Sequence, residues 1–190
     1  MFPLERSIKG RTAEAIANII FERGGYRLAH FGIEELFREV KLLSDAQYNK
    51  LSLDPRLRAL PDFLISTPDL NKAYQVEVKF RRNLDQNVRS ELAIKLGQQR
   101  SHWPNMIVLL LAGEAPGGPT MKYFQNYVRV INNSVTADII SKKMSAYEFW
   151  EKLPTVQSAF PLIAKSDFKL DSVVPLLQQL AKIDVADEKH

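Results

Sequence analysis

The stretch MIVLLLA, Met106 to Ala112, is apolar at every position. A strand with one wet face alternates apolar and polar residues, so a strand without alternation must be covered on both faces, as in α/β proteins. It is the longest apolar candidate in the chain and falls far short of the roughly 20 residues that a membrane span needs. Around it the sequence reads as helices and strands in turn. Residues 7–23 carry Ile8, Ala15, Ile16, Ile19 and Ile20 at helical spacing after a candidate cap, Ser7, and end at Gly24-Gly25. Tyr26 to Phe31 reads as a short strand. Residues 33–51 read as a mostly helical insert bearing Ile33, Leu36, Phe37 and Val40, and SLDPR as a break. Leu60–Ser66 and Ala73–Phe80 read as strands joined by TPDLNK, rich in turn residues. A helix over 86–102, capped by Asp85 and stopped before Pro104, leads into the apolar strand. After it come a loop, EAPGGPT (113–119), a strand at Tyr127–Ile131, helices near 145–153 and 171–183, and a tail, VADEKH, expected to fray. This order predicts one α/β domain over 1–190, with a mixed central β-sheet flanked by helices and a C-terminal strand and helices in 121–183.

Composition narrows the chemistry. The chain has no cysteine, which excludes disulfides, thiolate catalysis and cysteine-ligated zinc or iron–sulfur centres. His30, His102 and His190 show no close metal-ligand spacing. A metal site must therefore rely on oxygen ligands, which suits Mg²⁺, Mn²⁺ or Ca²⁺. A net charge of +4 and a pI near 9.2 fit a nucleic-acid partner. The segment MFPLERSIKGR lacks the apolar core of a signal peptide, and the expected location is the cytoplasm.

The two strands around TPDLNK hold the most informative pattern. If the turn is symmetric, cross-strand partners have residue numbers that sum to 139: Asp62 faces Glu77, Phe63 faces Val76, and Ile65 faces Tyr74. Side chains alternate along a strand. One face then carries Phe63, Ile65, Val76, Val78 and Phe80, a core face. The other carries Asp62, Leu64, Gln75, Glu77 and Lys79. Opposed carboxylates repel, and burying them costs more. A divalent cation between them would offset both costs with the hard oxygen ligands it prefers.

Pro61-Asp62 followed by Glu77-Val78-Lys79 resembles the signature of the PD-(D/E)XK nuclease superfamily, which includes restriction endonucleases and Holliday-junction resolvases. Glu14 in the upstream helix, and a helix and a buried strand after Lys79, follow the same order, so the resemblance covers about residues 7–112. It implies a restriction-endonuclease-like core and Mg²⁺- or Mn²⁺-dependent hydrolysis of DNA. Asp62 and Glu77 would be metal ligands, with the Val78 carbonyl as a third. Lys79 would orient water and stabilise charge, and Glu14 would complete the outer metal shell or hold a second ion. Gln99, four residues before Trp103, is similar to the Gln-x-x-x-aromatic feature of the exonuclease branch, where the aromatic is typically Tyr. Arg81, Arg82 and Arg11 would contact DNA phosphates, with Arg89, Lys95 and Arg100 as further basic residues nearby. By analogy with enzymes that cut two strands, a homodimer is expected.

Plainer readings stand beside these. Asp62 also suits the start of a strand, Glu77 and Lys79 a solvated strand face, Glu14 a surface glutamate, and Gln99 a core-edge residue bonded to backbone. A nuclease-fold module that binds DNA or a protein without cleaving is the alternative function. EAPGGPT lacks Walker spacing, so no nucleotide-phosphate loop is expected.

Overall fold

A computed structural model describes residues 3–37, 39–40, 43–118 and 123–183. Its centre is a five-stranded sheet with the strands in chain order: β1 (Arg27–His30), β2 (Phe63–Ser66), β3 (Ala73–Arg81), β4 (Ile107–Ala112) and β5 (Val128–Ile131). All neighbours pair antiparallel except β3 and β4. That one parallel pair needs a crossover. Helix α5 (Gln86–His102) supplies it, with the Asp85 side chain accepting a hydrogen bond from the Val88 N–H. The fold is thus the expected α/β arrangement, a mixed sheet flanked by helices.

β4 is buried on both faces, and its side chains separate two cores. Leu109 and Leu111 join Val76 and Val78 in a core roofed by α1 (Pro3–Arg23) and the last described helix, Val174–Lys182. Val108 and Leu110 join Leu92 and Leu96 of α5 in a second core. Glu77 and Lys79, one pleat away from Val76 and Val78, therefore stand on the α5 side. The hairpin register is the expected one, with Phe63 opposite Val76 and Ile65 opposite Tyr74.

Several boundaries differ from expectation. The first helix starts at Pro3, so Ser7 lies inside it; it ends at Gly25, whose φ of 83° the absence of a Cβ permits. There the Tyr26 N–H reaches the Phe21 carbonyl and closes the last turn. The insert over 33–51 is mostly helical among its described residues, as expected, but in short pieces: α2 (Ile33–Leu36), a 3₁₀ turn at 39–40 and α3 (Asp45–Lys50). SLDPR, expected to break structure, opens α4 (Pro55–Arg58), because Asp54 caps it and Pro55 suits its first turn. Beyond β5 run α6 (Ala137–Ser141), α7 (Ala146–Glu151), α8 (Val156–Ala159), α9 (Pro161–Lys165) and α10 (Val174–Lys182). Of these only α7 and α10 match expected helices; α6 and α8 start at Thr136 and Thr155, whose hydroxyls cap them. The tail VADEKH with His190, parts of 33–51 and the end of the 113–119 loop lie outside the described residues. No helix among the described residues is long and apolar enough to cross a membrane.

Candidate active site

Asp62 sits one residue before β2. Its main-chain carbonyl accepts from the Phe31 N–H at 2.8 Å, which continues the β1–β2 pairing past the formal end of the strand. Its side chain turns to the other neighbour. The Val78 N–H lies opposite Pro61, and Asp62 Oδ2 accepts its hydrogen bond at 2.7 Å. One residue thus ties together the ends of three strands, which fixes its carboxylate relative to Glu77.

Glu77 is almost fully buried, at 4% exposure. One of its oxygens, Oε1, accepts from the Lys79 ammonium two residues along the same face. The other, Oε2, accepts from Gln99 Nε2 of α5 at 2.7 Å. Gln99 also reaches the Ala59 carbonyl at 3.4 Å, just after α4. The structure therefore brings together Asp62, Glu77, Lys79 and Gln99, drawn from the start of β2, from β3 and from α5. The Ala59 contact is a bond to backbone, as the plainer reading of Gln99 had it, but nothing in the sequence says which carbonyl, 40 positions away, would accept it.

The electrostatics are lopsided. Loss of solvation, then the negative charge of Glu77, raises the Asp62 pKa well above the usual carboxylate range; Lys79 and the Val78 N–H oppose this, and Glu14 adds to it. Glu14, half-buried on α1, is thus near enough for its charge to be felt at Asp62. Two acids share one ammonium. The donor set fits a hard divalent cation of the Mg²⁺ kind, which binds through one or two carboxylates and completes its shell with water and phosphate oxygens. Among the described residues, no three His, Cys, Asp or Glu side chains come together as a ready-made metal cluster.

The basic residues divide. Arg81 donates to its neighbour's carbonyl, Phe80 O, at 2.7 Å, and Arg82 pairs with Glu114 at 2.9 Å. Arg11 is exposed on α1 and Lys95 on α5. Arg89 and Arg100 are turned inward and engaged by the chain's own carbonyls. Arg89 is 1% exposed and donates to the carbonyls of Lys142 and Met144, while Arg100 donates to those of Val135, Ile131 and Asn132. His30 packs on the Phe63 ring and His102 is exposed, so neither joins the cluster. Trp103, read as the aromatic partner of Gln99, instead donates its indole N–H to Arg56 O and packs edge-on to Phe31.

Comparison with protein-family models, with curated proteins and with solved structures gave no match.

Proposed function

We infer that this chain is a divalent-metal-dependent nuclease that hydrolyses phosphodiester bonds in DNA, with Asp62, Glu77, Lys79 and Gln99 as its active site. The reading rests on one observation: two carboxylates on adjacent strands, under-compensated by charge, with an ammonium on the same face. Such an arrangement costs stability, and charge held at a cost collects where chemistry is done. The resemblance of Pro61-Asp62 and Glu77-Val78-Lys79 to the PD-(D/E)XK signature supports it.

Asp62 and Glu77 would hold the Mg²⁺ or Mn²⁺ ion, with the Val78 carbonyl beside them and Glu14 further out. When bound, the ion would neutralise charge on the phosphate and acidify the attacking water. The chain's own residues do the rest. The Val78 N–H keeps Asp62 aimed at the site. Gln99 fixes Glu77 by donating to Oε2 and leaves the opposite oxygen to Lys79. The Lys79 side chain is 24% exposed, so its ammonium can swing from Glu77 toward a phosphate oxygen or the water as negative charge grows there.

A second reading, a nuclease-fold module that binds DNA or a protein without cutting, is favoured by the engagement of both Glu77 oxygens by protein donors. The two separate in one experiment. Single-turnover cleavage of plasmid, linear and branched DNA in Mg²⁺ or Mn²⁺ is compared for the wild type and Glu77→Gln, with Mn²⁺ affinity measured by calorimetry. The expected result is cleavage by the wild type and loss of both cleavage and tight Mn²⁺ binding in the variant. A wild type that binds DNA yet leaves every substrate intact establishes the second reading.

A further inference from the structure

On the α5 side of the sheet, the loop between α6 and α7 and the outer face of α7 enclose a groove of about 530 Å³. Lys142, Lys143, Tyr147 and Lys152 line it, together with Glu148 and Glu151. Three lysines stand against two carboxylates, and one of those carboxylates is paired with a cation from outside the groove. Glu148 accepts from the Ser145 N–H at 2.7 Å and closes the capping box of α7, which holds its carboxyl below the usual range. Glu151 pairs with the buried Arg129 at 2.9 Å. Lys142 and Lys143 have no carboxylate partner among the described residues. The groove therefore carries a net positive charge, concentrated at Lys142 and Lys143.

Its backbone is also held in place. Arg89 donates to the carbonyls of Lys142 at 3.2 Å and Met144 at 2.5 Å and lies over the Phe149 ring; Gln86 donates to the Ser141 carbonyl at 2.6 Å. A ligand thus meets a loop already ordered, which lowers the cost of binding. Tyr147 is 44% exposed beside the lysines and can offer its ring for stacking.

We propose that this groove binds an unpaired stretch of DNA through the lysines and the Tyr147 ring. Cations that track phosphates beside an aromatic platform suit single strands, because in a duplex the base faces are already stacked. That this strand is the substrate of the Asp62–Glu77 pair rests on the nuclease reading above. Both regions are anchored by the same helix: Arg89 holds the groove and Gln99 holds Glu77, about 15 Å apart along α5.

The test measures binding without cleavage. Fluorescence anisotropy of a labelled oligothymidylate, and of a duplex of equal length, is followed in EDTA across a range of salt. Three variants are compared with the wild type: Lys142→Ala with Lys143→Ala, Tyr147→Ala and Tyr147→Phe. For the single strand, the double variant is expected to lower the salt slope by about 1.4, that is about 0.7 per phosphate neutralised. Tyr147→Ala is expected to weaken single-strand binding by roughly fivefold or more, and Tyr147→Phe to leave it intact. An unchanged slope in the double variant, equal binding by Tyr147→Ala, or a wild-type preference for duplex overturns the proposal. Because cleavage plays no part, such a failure leaves the nuclease reading to the Glu77→Gln experiment.

Discussion

On the α5 side of the sheet, Arg89 and Arg100 on the one hand and Asp62 and Glu77 on the other are charges taken out of water, and the two cases are compensated differently. Arg89 and Arg100 are enclosed by carbonyl oxygens of the segments they pin down. A guanidinium stays charged in almost any setting and offers five donors in a planar fork, so main-chain carbonyls suit it well. Burial lowers the pKa of both, yet they remain cations. Asp62 and Glu77 sit in a similarly dry place with one ammonium between them and a charge of their own sign opposite. The first case is charge used to hold the chain together. The second is charge that the chain holds at a cost, and such costs collect where chemistry is done.

Lys79 and Arg89 separate the two cases by the largest margin. If the carboxylate cluster is catalytic, Lys79→Ala should cut single-turnover cleavage by about two to three orders of magnitude, the loss expected for one preorganised stabilising group. DNA affinity measured in Ca²⁺ should change little, because the ammonium acts in the transition state. Cleavage that survives undiminished would make Lys79 only the structural counter-ion of Glu77. Arg89 should behave in the opposite way. Arg89→Met keeps much of the volume but leaves the Lys142 and Met144 carbonyls without a donor. It should lower stability by ~3 kcal/mol, the order of two charge-assisted hydrogen bonds. Urea denaturation reads that loss, while Mn²⁺ affinity should not move. A drop in metal affinity as large as that of a carboxylate variant would erase the distinction between the two regions.

The elements of this comparison are unequally legible in the sequence. The pairing of β2 with β3 is readable because the turn is short and symmetric: the Thr67 N–H and Lys72 carbonyl close it at 3.0 Å, so counting outward from them sets the register. The facing of Asp62 and Glu77 follows from the same count. Periodicity places Gln99 on the inner face of its helix, but its partner is 22 positions away and depends on how α5 crosses β3. The inward turn of Arg89 and Arg100 is hidden from the sequence for the same reason. A basic residue on a helix after a candidate catalytic strand looks like a phosphate contact until the segments that bury it are known, and those lie more than 30 positions downstream. Helix α4 is not expected from the sequence although its signals, Asp54 and Pro55, are present, because the same residues also mark turns.

Asp62 gives a smaller effect of instructive sign. Its folded pKa is raised by lost solvation and by Glu77. The charged form therefore costs stability at every pH above the folded value. As pH falls through that value the native state takes up the proton, and the cost has vanished once pH is below the ordinary carboxylate range. Asp62→Asn keeps an oxygen for the Val78 N–H and removes the charge. In metal-free buffer near neutrality it should stabilise the protein by about 0.5–2 kcal/mol, the range of a single favourable substitution. The gain should shrink on acidification. Added Mn²⁺ should reverse the order, since it stabilises only a chain that binds it. Thermal melts across pH, with and without Mn²⁺, test all three points, and a variant less stable than the wild type at neutral pH would show that the buried charge is well compensated.

Arg82 gives the smallest effect and lies between the two cases. Its pair with Glu114 is 2.9 Å long, and the two side chains are 32% and 55% exposed. Exposed pairs of this kind contribute between about 0.2 and 1 kcal/mol, so Arg82→Ala should scarcely alter stability. Its value is in binding. If Arg82 reaches a phosphate, Arg81→Ala with Arg82→Ala should lower the salt slope of duplex binding by up to about 0.9 for each phosphate no longer neutralised. Glu114→Gln should then do the reverse of a binding mutation: with the competing carboxylate gone, the guanidinium is released and duplex affinity rises slightly at low salt. Anisotropy titrations at several salt concentrations distinguish these outcomes. Slopes that do not move in either variant would place Arg82 with Arg89 and Arg100, as a guanidinium whose work is to tie the end of β3 to the loop after β4.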